Sequence, residues 1–271
     1  MLGRQVAKVF RNSGKDVISA GRSDADVGNL SELRSLFDSL SPDLVIHCAA
    51  FTDVDGCEQD PERAFRVNSM GSRNVAQVCA EVRAKLLYVS SDYVFDGSKG
   101  SAYREFDAPN PLNVYGQSKY EGEFYVSRLC RRFIIIRTSW LFGPGGANFV
   151  SAICDRARRG EEIRVVDDQI GSPTYTLHLA KAMLAIVDSG VLGLFHVSGQ
   201  GRCSWYGFAQ KILEMKSFDK VPLTPIFSSE VQNSVSRPSF SVLENFNLKI
   251  EGLDLPPHWS EGLAAYLGED R

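Results

Sequence analysis

The apolar positions of this chain change period along its length, and each change marks an element. Val6, Val9 and Phe10 share one face of a helix over residues 4–12, which Gly14 ends. Asp16–Ala20 (DVISA) then reads as a short strand. Asn29 and Glu32 stand at capping-box spacing before a helix that presents Leu33, Leu36, Phe37 and Leu40 to a core. Asp43–Cys48 (DLVIHC) is the next strand. Pro61 suits the first turn of a helix, where its missing N–H has no partner to lose, and that helix is expected to reach about Arg83. Two further apolar runs, Lys85–Ser91 (KLLYVSS) and Phe133–Thr138 (FIIIRT), flank a helix over Tyr115–Leu129.

Strands that are apolar throughout need cover on both faces, and helical crossovers supply it. The repeated strand–helix–strand order therefore predicts an α/β fold with a parallel, doubly wound, Rossmann-like sheet. After residue 143 the alternation loosens. Helices are expected near 147–159, 175–188 and 204–216, with strands at 163–167 and 194–198. Prolines 222, 225, 238, 256 and 257 break up the remainder. Residues 1–143 thus read as a dinucleotide-binding domain. Residues 144–271 read mainly as a smaller α/β substrate-binding lobe, with segments that return to the sheet.

Composition narrows the function classes. The 271 residues carry 30 basic and 33 acidic side chains, a formal charge of −3, which excludes a protein that works by neutralising nucleic-acid phosphates. No apolar run approaches the ~18 residues of a membrane span. Six cysteines, at 48, 57, 79, 130, 154 and 203, form no C-x-x-C pair, so reduced thiols in a cytoplasmic protein are expected. His47, inside an apolar strand, reads as a core histidine. The clusters Arg128/Arg131/Arg132 and Arg156/Arg158/Arg159 read as solvated faces near helix ends. No metal is indicated, and a Mg2+ requirement is not legible in the chain.

In a nucleotide-binding sheet of this class, a strand turns through G-x-x-G-x-x-G into a helix whose free N–H groups hold the pyrophosphate. Met1, Leu2 and Gly3 stand where the last x-x-G of that loop falls, with Gly21-Arg22 and then Asp26 following in the expected order. The expectation is that a first strand and two glycines, about a dozen residues, are absent from this chain. Such a loss leaves unpaired backbone in the core, so poor folding or weak cofactor binding is expected.

Tyr115 and Lys119 form Y-x-x-x-K on the helix after Lys85–Ser91, which places both side chains on one face. Ser90, Ser91 and Asp92 lie at the C-terminal end of an apolar strand, where open α/β sheets bind ligands. The set suits carbonyl reduction by a nicotinamide. Hydride addition to a ketone leaves an oxyanion that needs a proton. A free tyrosine titrates near ~10, and an adjacent ammonium favours its phenolate. Lys119 is expected to supply that charge and hold ribose hydroxyls, while Ser91 hydrogen-bonds the substrate oxygen.

Longer strings carry a resemblance. Cys48-Ala-Ala-Phe-Thr-Asp-Val-Asp55, Ser90-Ser-Asp-Tyr-Val-Phe-Asp-Gly97, Pro111-Leu-Asn-Val-Tyr-Gly-Gln-Ser-Lys119, Arg137-Thr-Ser-Trp140, Asp168-Gln-Ile-Gly-Ser-Pro173 and Arg237-Pro-Ser-Phe-Ser241 are similar to those of the extended short-chain dehydrogenases. Within that group the chain resembles the dTDP-4-dehydrorhamnose reductases from Met1 to about Tyr266. The resemblance implies that Tyr115 donates the proton, with Lys119 as its partner. It implies that Ser91, where relatives usually carry threonine, lines the substrate carbonyl with Asp92. Asp26 and Val27 would meet the adenine end, Ala50, Thr52 and Val89 would flank the cofactor, and Trp140 would stack on the sugar. Arg22 could meet a 2′-phosphate, so NADPH is expected, with NADH use open, as is a solvated loop role for Arg22. The implied partner is a nucleotide sugar, with a homodimer open. Two other readings remain. One is a non-catalytic dinucleotide-binding subunit similar to the methionine adenosyltransferase β subunit. The other is a sugar-nucleotide epimerase or dehydratase, although dehydratases generally place Asp-Glu where this chain has Asp92-Tyr93.

Overall fold

A computed structural model describes residues 1–231 and 235–269. Its centre is a parallel sheet of four strands, β1 (Leu44–His47), β2 (Lys85–Ser91), β3 (Phe133–Thr138) and β4 (Gly193–His196), hydrogen-bonded in that order. The registers Leu44↔Lys85, Leu86↔Phe133 and Ile134↔Gly193 align the C-terminal strand ends on one side of the sheet.

The period of two along β2 divides the core. Leu87 and Val89, with Ile134 and Ile136 of β3, face α1 (Leu2–Asn12) and a helix over Thr176–Ser189, meeting Leu2, Val6, Phe10, Leu179 and Met183. Leu86 and Tyr88 point the other way, toward Leu33 and Phe37 of α2 (Leu30–Leu40), Val75 and Cys79 of α3 (Gly71–Glu81), and Val126 of α4 (Val114–Leu129). Burial of each such leucine contributes roughly 1.5–3 kcal/mol.

The chain beyond β3 builds a second cluster. Phe142, Ile153, Ile163, Tyr175, Phe208, Ile212 and Leu263 close on one another from helices Phe149–Arg158, Trp205–Met215 and Trp259–Glu269 and a strand pair, Ile163–Val166 with Leu223–Ile226. β4 comes from this later half of the chain yet pairs with β3.

Two expectations change. Asp16–Ala20 is not a strand. Arg11 donates to the Val17 carbonyl at 3.0 Å and to Ser19 Oγ at 3.0 Å, but no ladder forms, and Ile18 is 61% exposed. A strand exists only through a neighbour, and the free edge of β1 has none among the described residues. The helix from Pro61 is also not continuous. Pro61–Ala64 widens into a π-helical segment, Phe65–Met70, before α3 resumes. That extra residue aims Asn68 inward, and widened turns of this kind mark functional sites. No described helix is long and apolar enough to cross a membrane.

Candidate active site

The end of β2 and the start of α4 meet at one junction. Ser91 caps a 3-10 turn, Asp92–Val94, by accepting from the Tyr93 N–H at 3.2 Å. Asn113 caps α4 by accepting from the Gly116 N–H at 2.9 Å. Gly116 lies so close to the Tyr93 carbonyl that a Cβ there would collide with it. Glycine thus lets the first turn of α4 press against the turn that carries Asp92, and Tyr115 meets the Tyr93 ring edge-on at 5.5 Å.

Lys119 lies one turn further along α4. Its ammonium is buried, donates to the Val89 carbonyl at 2.6 Å and sits over the Tyr88 ring at 4.3 Å. Tyr88 in turn donates its hydroxyl to the Lys119 carbonyl at 3.2 Å. Burial lowers the Lys119 pKa to about 7, while the carboxylate of Glu123, four residues on, pulls it back up. Glu123 is itself clamped. Arg137 grips it with two bonds of 2.8 and 2.7 Å, and Ser90 Oγ donates at 2.5 Å. Pair and serine are buried, so the charges are compensated inside the protein rather than by water. Asn68 of the π segment joins a third strand end to this helix, accepting from the Phe51 N–H at 2.8 Å and donating to the Phe51 carbonyl at 2.9 Å and Ser118 Oγ at 3.0 Å.

Tyr115 is half-buried, yet desolvation around its hydroxyl pushes the phenol well above its ordinary value; Ser91 opposes the rise and the Asp92 charge adds to it. The expected phenolate-promoting ammonium is therefore not what governs Tyr115 here, because Lys119 is turned to Val89 and Tyr88. The phenol holds its proton. Among the described residues no cation pairs with the buried Asp92, and burial raises its pKa to about 6 despite bonds from Ser241 and Ser91.

The expected cofactor residues fall in two places. Arg22, Asp26, Val27 and Ala50 line a cleft of about 390 Å³ beside β1, together with Phe37, Val45 and Phe51. Met1, Leu2 and Gly3 open α1, whose first-turn N–H groups carry no side-chain cap, and Gly3 faces Cys48 at the end of β1. Val89 contributes the carbonyl that holds Lys119, and Thr52 is exposed on the loop after β1, outside the cleft lining. An apolar slot, a carboxylate and a run of free N–H groups are a donor set that fits a dinucleotide. Arg22 pairs with Asp26 at 3.2 Å on the surface, and the Gly28 N–H holds the Asp26 carboxyl below its usual range.

Trp140 carries one departure from expectation. One face of its indole is covered by Trp205, stacked at 3.5 Å and 4°, so at most one face is left for a sugar. Its backbone is left-handed, φ +48°, a conformation that persists only where packing imposes it. His47 is a core residue, as read: buried, 3.2 Å from Ser72 Oγ, with burial lowering its pKa to about 3. Arg156, Arg158 and Arg159 form exposed ion pairs with Glu161 and Asp155. No group of three or more potential metal ligands occurs among the described residues. Tyr88, Trp205, Glu123 and Asn68 join the site beyond the residues to which the motifs point. Of these, only Glu123 carried a legible signal, its i,i+4 spacing from Lys119.

This arrangement has counterparts. The family model described as the RmlD substrate binding domain matches residues 1–271. A spore coat polysaccharide biosynthesis protein, SpsK of Bacillus subtilis, is 37% identical over 99% of this chain and 94% of its own length. A dTDP-4-dehydrorhamnose reductase of Aggregatibacter actinomycetemcomitans is 35% identical over 97% of this chain and 93% of its own. The crystal structure of a dTDP-4-dehydrorhamnose reductase from Bacillus anthracis, in complex with NADP, superposes with a TM-score of 0.96 at 38% identity, covering 99% of this chain and 95% of that one. UDP-glucose 4-epimerase of Thermus thermophilus shares the fold alone, at 19% identity and a TM-score of 0.83. By the span of the family model and the identity of these relatives, the chain belongs to the RmlD substrate-binding-domain family, the dTDP-4-dehydrorhamnose reductases of the extended short-chain dehydrogenases.

Proposed function

We propose that this protein reduces the 4-keto group of dTDP-4-dehydro-L-rhamnose to give dTDP-L-rhamnose, using NADPH. The observation that carries this reading is the junction of Ser91, Tyr115 and Lys119 at the C-terminal end of β2, where Ser91 hydrogen-bonds the Tyr115 phenol and Lys119 follows one helical turn on. When bound, the nicotinamide supplies the hydride. The chain's own groups do the rest. Ser91 turns its hydroxyl from Asp92 to the keto oxygen and aligns it. Tyr115, its pKa held high, keeps a proton at its hydroxyl until an alkoxide forms beside it and then donates that proton. Lys119, one turn along α4 from Tyr115, offers N–H donors to ribose hydroxyls. Arg22, Asp26, Val27, Ala50, Thr52, Val89 and the N-terminus of α1 hold the dinucleotide, and Asp92 and Trp140 contact the sugar.

NADPH oxidation with dTDP-4-dehydro-L-rhamnose tests the reading, with one cofactor consumed per sugar reduced as the expected result. Conversion of a nucleotide sugar with no net NADPH consumption points instead to an epimerase or dehydratase. Copurification with a synthetase and no oxidation points to a regulatory subunit.

A further inference from the structure

The string Arg237-Pro-Ser-Phe-Ser241 takes no part in the reaction just described, yet the structure lays it across the junction. Asn113, the cap of α4, donates to the Ser236 carbonyl at 2.8 Å. Arg237 pairs with Asp55 at 2.9 Å. Ile170 N–H donates to the Ser239 carbonyl and Ser241 N–H to the Ile170 carbonyl, both at 2.8 Å, so the backbone is pinned on either side of Phe240. From that fixed frame the Ser241 hydroxyl donates to Asp92 Oδ2 at 2.6 Å, while Ser91 donates to Asp92 Oδ1 at 3.0 Å. Ser91, Asp92 and Ser241 are 6%, 2% and 2% exposed, so water does not replace either bond.

We propose that Ser241 is a positioning residue, whose hydroxyl fixes the Asp92 carboxylate and through it the orientation of Ser91. This rests on the reading that Ser91 aligns the keto oxygen. The carboxylate can accept from both serines at once, one on each oxygen. Protonation removes an acceptor, so one of the two bonds must break or reverse. The groups that face Asp92 are the neutral phenols of Tyr93 on its own turn and Tyr115 from α4; the Arg237 charge acts on Tyr93. Among the described residues no cation pairs with the anion, so hydroxyl and N–H donors carry that task, and removing one of them favours the acid. The Asp92 midpoint, about 6 with both serines in place, therefore rises when Ser241 loses its hydroxyl.

The test compares the full chain with Ser241→Ala and Ser241→Thr. In the unliganded protein, carboxyl-carbon NMR reads the Asp92 titration. Ala is expected to move its midpoint up by about one pH unit, and Thr to restore it. In turnover with NADPH and dTDP-4-dehydro-L-rhamnose, Ala is expected to lower kcat about ten-fold with KM unchanged, and to shift the acid limb of the kcat profile upward in step with the midpoint. An unmoved midpoint overturns the proposal, as does a moved midpoint with unchanged kcat, or a loss that Thr fails to restore. If the unsubstituted protein turns over no keto sugar, the reading of its function fails, while the NMR midpoint still decides whether Ser241 holds Asp92.

Discussion

The two sides of β1 differ as much as any two regions of this protein. Toward β2 lies a junction in which almost every polar atom has a protein partner: Lys119 on Val89, Glu123 in the grip of Arg137 and Ser90, Asn68 on Phe51 and Ser118. Toward Asp16–Ala20 lies an open edge, an unpaired extended segment and a cleft whose one ion pair, Arg22–Asp26, is mostly solvated. Proton chemistry needs fixed distances, and the buried side provides them through bonds that water cannot replace. The open side presents apolar surface and backbone donors without a side-chain cap, which take their order from whatever occupies them.

Substitutions separate the two sides, beginning with the largest effect. Tyr115→Phe is expected to lower kcat by about 10²–10⁴-fold while NADPH binding, followed by fluorescence, stays as it was. A kcat within a factor of two would remove Tyr115 from the reaction. Glu123→Gln strands Arg137 and is expected to destabilise the fold by about 3–5 kcal/mol in denaturant titrations. A loss under 1 kcal/mol would mean the buried side is no stiffer than the open one. Hydrogen exchange should then show the contrast without mutation, with β2 and β3 amides protected to the global limit and those on the free edge of β1 exchanging through local opening. The smallest effect belongs to the exposed arginine: Arg22→Ala should leave stability within about 0.5 kcal/mol.

What could be read in advance follows the same division. β2 and β3 announced themselves because continuous apolar runs have few other homes, and Tyr115 and Lys119 because helical spacing is local. Val17 and Ile18 promised a strand and gave none, since pairing depends on a neighbour that local periodicity does not reveal. Trp205 covers Trp140 from 65 positions away, and Ser241 reaches Asp92 from 149, contacts to which no periodicity points. The π segment was hidden for another reason: one extra residue in a helical turn leaves the apolar pattern almost unchanged.

The Trp140–Trp205 stack has an optical consequence. Two indoles lying parallel at 3.5 Å couple their electronic transitions, so they absorb and emit as a pair and not as two separate rings. One partner sits just past β3, at the edge of the site, and the other opens a helix of the later cluster. The protein thus carries its own unlabelled gauge of how firmly those two parts of the chain stay together.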